Sequence, residues 1–151
     1  MMTGSVRRLA PILMAGALAV GGLSGCSSGA PPQPPQPGTL SAGTANTSID
    51  GREASTDDVS CESHGTVTTV STGNADAGFT AVVSSDPGLL VESVTIRNLG
   101  GFTGSYNDGL GDPAQVTMLG RTYELTGVAD GFDTDRPSFR TSGKFSIQVS
   151  C

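Results

Sequence analysis

From Phe139 to Cys151 the chain alternates without a break over thirteen residues. Phe139, Thr141, Gly143, Phe145, Ile147, Val149 and Cys151 occupy one set of positions; Arg140, Ser142, Lys144, Ser146, Gln148 and Ser150 occupy the other. Successive side chains of a β-strand point to opposite faces, so this run predicts a long strand with one side on a core and one in water. Shorter versions recur at Phe79, Ala81 and Val83, at Val94 and Ile96, at Val116 and Met118, and at Tyr123 and Leu125. No segment keeps an apolar period of 3.6 residues, so no long helix is expected. Gly, Asn, Asp and Pro punctuate the chain between these runs, as turns require. The expected fold is all-β: a small antiparallel β-sandwich or meander over residues 48–151 with one disulfide. Strands are expected near 57–62, 65–71, 79–84, 89–98, 101–106, 114–119, 121–129 and 138–150.

The first 47 residues have a different character. Arg7 and Arg8 precede an uncharged, mostly apolar run from Leu9 to Leu23, about the length of a signal h-region and short for a bilayer span. Leu23-Ser24-Gly25-Cys26 follows at once. Small residues before a cysteine at that place resemble a bacterial lipobox. The resemblance implies a diacylglycerol thioether on Cys26, cleavage between Gly25 and Cys26, and an N-acyl chain on the new terminus. Residues 1–25 are thus expected to be a lipoprotein signal peptide. More than one acyl chain matters, because a single one binds a membrane only marginally. The predicted location is the extracytoplasmic face of the plasma membrane.

Ser27 to Thr47 carries no charge, five prolines and one large apolar residue, Leu40. A segment that cannot bury a core is expected to be a disordered linker, so 26–47 is assigned as lipidated cysteine and tether. As polyproline II it reaches up to roughly 65 Å. Thr39, Ser41, Thr44, Thr47 and Ser48 are candidate O-glycosylation positions, and Asn46-Thr47-Ser48 fits an N-glycosylation pattern.

Of three cysteines, acylation accounts for Cys26. Cys61 and Cys151 remain as a pair in an oxidising compartment. Each shares a face with the apolar residues of its strand, so both sulfurs are expected to point inward. The rival possibility, two reactive thiols, lacks a Cys-x-x-Cys spacing.

Catalytic constellations are hard to assemble. The single histidine, His64, rules out a multi-histidine metal centre and leaves only itself as general base. The mature chain has no Gly-x-Ser-x-Gly elbow to go with it. Asp108, Asp112, Asp130, Asp133 and Asp135 lie near glycine-rich loops, but their spacing matches no calcium motif. Gly100-Gly101 lacks the strand-to-helix setting of a phosphate loop. No metal and no catalytic residue is assigned. Without Arg7 and Arg8, six basic residues face fourteen acidic ones, a net charge of −8. That excludes nucleic acid as a partner, since phosphate neutralisation needs a basic face.

A family resemblance joins these parts. After the lipobox and low-complexity tether come Ile49-Asp50-Gly51, Val59-Ser60-Cys61, Gly78-Phe79-Thr80-Ala81-Val82 and Val94 followed by Asn98. The motifs Tyr123-Glu124-Leu125-Thr126-Gly127-Val128-Ala129 and Phe145-Ser146-Ile147-Gln148-Val149-Ser150-Cys151 complete them. In this order they resemble the mycobacterial nineteen-kilodalton lipoprotein antigens, the LpqH-like lipoproteins. The resemblance implies a membrane-anchored envelope antigen with Cys26 lipidated and Cys61 bonded to Cys151. It also implies agonism of host Toll-like receptor 2 through the acylated terminus. The Pro/Gln-rich linker departs from the Thr/Ser-rich linker of that antigen, so heavy O-glycosylation does not carry over.

Three functions compete. One is a non-catalytic display or interaction module. The alternative is a carrier of a lipid or other apolar ligand, with Phe79, Phe102, Tyr106, Phe132 and Phe139 as candidate cavity lining. The third is a hydrolase centred on His64, which the missing catalytic set disfavours; no enzyme is expected.

Overall fold

The computed structural model describes residues 36–151. The expected signal peptide with its cleavage position at Gly25, the expected lipidation site Cys26 and the expected tether as far as Pro35 lie outside the described residues.

Ten strands follow one another: β1 (Ala45–Ile49), β2 (Arg52–Thr56), β3 (Val59–His64), β4 (Val67–Thr72), β5 (Gly78–Ser84), β6 (Leu90–Leu99), β7 (Phe102–Asn107), β8 (Gln115–Leu119), β9 (Thr122–Asp133) and β10 (Arg140–Ser150). All pairings are antiparallel, in the order β2-β1-β10-β9-β7-β6-β5-β4-β3, with β8 added on β9. The two ends of that order, β2 and β3, are consecutive in the chain and joined only by Asp57 and Asp58. The sheet must therefore curl until its edges meet. A disulfide between Cys61 on β3 and Cys151 after β10, with Cα atoms 5.9 Å apart, fastens this nearly closed barrel across the seam.

The inward positions form one core. Phe79, Phe102, Ile49, Ile96, Leu125 and Ile147 are its largest fully buried members. The aromatic rings lie on glycine backbone. A Cβ at Gly104 would stand 2.6 Å from Cζ of Phe102, and one at Gly127 2.6 Å from Cζ of Phe145. Gly143 meets the other side of the Phe102 ring. These glycines make room for rings that no side chain would leave.

The eight expected strands are all present, with ends that agree to within four residues. Two more, β1 and β2, were not expected. Their inward residues are Ala45, Thr47, Ile49 and Ala54, of which only Ile49 is large and apolar, too few to show a period. Thr47 is buried and its hydroxyl donates to the Ala54 carbonyl at 3.1 Å, so it costs the core little. The folded region consequently begins before residue 48. Gly43 N–H donates to Ser150 O, Ser150 N–H to Thr44 O, Leu40 N–H to the Thr122 hydroxyl and the Gln148 amide to Gly38 O. Residues 36–47, assigned to the tether by composition, are thus bound to the ends of β9 and β10. Phe139 also differs from expectation. A turn in which Phe139 N–H donates to Arg136 O lifts it out of β10 and leaves it 71% exposed. Thr141 is exposed as well, because β1 covers β10 only from Phe145 to Val149.

Candidate functional site

Strand β9 is forked. Thr122–Thr126 pair with β8 and Asp130–Asp133 with β7, which leaves residues 127–129 unpaired on that edge. The loop 108–114 lies at the gap and is held by Tyr106, whose hydroxyl accepts from Ala114 N–H at 3.0 Å and donates to Asp108 Oδ1 at 3.3 Å. The Tyr106 ring meets Phe145 edge-on, with centroids 6.2 Å apart. Beside this loop the outer face carries a cleft of about 310 Å³, lined among others by Tyr106, Leu110, Val128, Asp130 and Arg140.

Register explains which side chains meet there. Thr103, Phe132 and Arg140 stand in one cross-strand row, and Ser105, Asp130 and Ser142 in the next. Ser142 donates to Asp130 Oδ1 at 2.8 Å. A second hollow of about 480 Å³ shares Ser105, Asp130 and Arg140 with the first and extends past Phe132 to Pro137. The groove so formed offers two carboxylates, Asp112 and Asp130, the Arg140 guanidinium, hydroxyls, the rings of Tyr106 and Phe132 and the apolar side chains of Leu110 and Val128. That set suits recognition of a surface by hydrogen bonds and apolar contact.

Other concavities lie away from this groove. The outer face of β2-β1-β10-β9 holds a hollow of about 340 Å³ walled mostly by polar side chains, among them Asn46, Ser48, Glu53, Glu124 and Gln148, with Ala54. At the seam, a mouth of about 190 Å³ opens between Ala54 and Thr56 on one side and Thr72, Ala77 and Leu99 on the other.

The five candidate lining residues do not surround one cavity. Phe79 and Phe102 are wholly inside the core. Tyr106 is buried, with its hydroxyl end at the fork. Phe132 is half-buried on the outer groove, and Phe139 projects into solvent. His64 sits exposed at the end of β3, away from the groove. Asp133 pairs with Arg136 at 2.8 Å. Among the described residues no three His, Cys, Asp or Glu side chains converge as a metal site. Sequence reasoning missed Val128, Leu110 and Arg140 as groove residues. The one local signal was Val128, an apolar residue in the outward set Glu124, Thr126, Val128, Asp130 and Phe132.

Comparison with known proteins gives these features a family. Residues 38–151 match the family model of the Mycobacterium 19 kDa lipoprotein antigen. A putative lipoprotein of Mycobacterium indicus pranii is 30% identical, over 91% of this chain and 95% of its own length. Lipoprotein LpqH of Mycobacterium tuberculosis H37Rv is 31% identical, over 96% of this chain and 98% of its own. A Mycobacterium avium lipoprotein LpqH is 33% identical over 68% of this chain and 65% of its own length. The matched region coincides with the described fold, from the segment bound to β9 and β10 to the disulfide at Cys151. The chain belongs to the Mycobacterium 19 kDa lipoprotein antigen family and is a lipoprotein antigen by that membership.

Proposed function

We propose that the chain is anchored to the extracytoplasmic face of the plasma membrane by acyl groups on Cys26 and displays its β domain as a non-catalytic interaction module. The lipobox and the family support the anchor. The observation that carries display over carriage is the filled interior. Phe79, Phe102, Ile96, Leu125 and Ile147 are at 0–1% exposure, and the clefts of ligand size lie on the outer faces rather than inside the core. A carrier shields its ligand in a mostly apolar cavity of about 300–1,000 Å³. The acylated terminus, by resemblance, is the part that host Toll-like receptor 2 would engage, independently of the domain.

The seam mouth, with Ala54, Ala77 and Leu99 in its wall, favours carriage as the second possibility. A native mass spectrum of the membrane-extracted protein separates the two. The display module gives the mass of the acylated chain alone, about 2 Da light for the disulfide. A stoichiometric non-covalent addition that disappears on denaturation overturns it in favour of carriage.

A further inference from the structure

Register assigns every turn to one end of the barrel or the other. Ser150 pairs with Thr122, and Gly43 and Thr44 bind Ser150, so the chain from the tether enters at the β8–β9 turn. The β5–β6 turn is at the same end. Leu99 pairs with Phe102 and Phe102 with Asp133, which puts the start of β6 at the end opposite the loop Asp133–Phe139. The eleven residues of β10 separate the two ends by roughly 35 Å.

The exposed large apolar residues divide unevenly between these ends. Leu119 (49%), Met118 (45%), Leu89 (41%) and Leu90 (38%) belong to the β8–β9 and β5–β6 turns at the tether end. Phe139 is at the far end, and Leu110 and Val128 are at the fork between. Leu40 and Gly38 lie over the same end; a Cβ on Gly38 would stand 3.5 Å from Leu119 Cδ2. Arg121, next to Leu119, donates to the Cys151 carbonyl. The turns also carry Asp86, and the domain is acidic, so attraction to anionic headgroups does not explain this face.

Chain length supplies the occupant. Ten residues, Cys26 to Pro35, precede Gln36, where the described structure begins. Even fully extended they span at most about 36 Å. This is far less than the reach expected of a tether running to Thr47, because the domain has taken up residues 36–47. A domain held that close, by the end that carries four exposed apolar side chains, presents them to the bilayer surface. We propose that Met118 and Leu119, with Leu89 and Leu90, form a membrane-contacting face that seats the barrel on the lipid surface and points the Asp133–Phe139 loop away from it. The proposal rests on anchoring through Cys26.

The chain has no tryptophan, so a single introduced one reports without background. Leu119→Trp, Leu89→Trp and Phe139→Trp replace exposed side chains and leave the core intact. Each full-length protein, extracted from membranes, is reconstituted in phosphatidylcholine vesicles with brominated acyl chains. Trp at 119 and at 89 is expected to be blue-shifted and quenched at least twofold, with Trp at 139 unquenched. Quenching at 119 and 89 no greater than at 139 overturns the proposal. A mass spectrum of the same sample tests the anchor separately. If it shows a free Cys26 thiol, the anchoring proposal fails. The protein is then coupled through that thiol to a maleimide phospholipid, and the same quenching comparison decides the membrane face.

Discussion

Replacing both Cys61 and Cys151 by serine is expected to lower the unfolding free energy by about 4–5 kcal/mol, the chain-entropy value for a loop of this length. The two cysteines are 90 residues apart, and the bond joins the edge strand β3 to the end of β10. Between β2 and β3 there is no ladder, so the bond supplies a link that strand pairing does not. The core has few large side chains to offset its loss. Urea unfolding of the oxidised protein and of the double variant measures the difference. A difference below about 1 kcal/mol would mean that packing alone closes the barrel.

Phe102→Ala is expected to cost about 3–5 kcal/mol, the range for deleting a fully buried aromatic side chain. Phe102 is 1% exposed and its ring occupies the space that Gly104 and Gly143 leave open. Those glycines have no side chains to collapse into the void, so the cavity term stays large. Phe139→Ala, by contrast, removes a ring that is 71% exposed and should change stability by less than about 0.5 kcal/mol. The same denaturation experiment compares them. Equal costs for the two would contradict the assignment of core and surface.

The all-β fold, the eight strands with apolar alternation and the inward Cys61–Cys151 pair were legible because each depends on a local period. Strands β1 and β2 were not, because small or polar residues, Ala45, Thr47 and Ala54, fill most of their inward positions and leave Ile49 alone as a large apolar one. A polar, proline-bearing stretch therefore hid the point at which folding begins. Phe139 continues the alternation of β10, but a turn holds it just outside the strand, which begins at Arg140. The groove at Asp130 and Arg140 was illegible for another reason. It exists because β7 and β8 share one edge of β9, a non-local pairing that leaves no pattern in any single segment. Asp130 drew notice as a candidate calcium ligand, whereas its partner is the hydroxyl of Ser142.

The proposed display function and the proposed membrane-facing end both rest on anchoring at Cys26, and one mass tests it. Protein extracted from the envelope is digested after Arg52, and the N-terminal peptide is weighed. A peptide that starts at Cys26 and carries diacylglycerol, with or without an N-acyl chain, is the predicted result. A peptide with an unmodified Cys26 thiol, or one that begins at another residue, would contradict it.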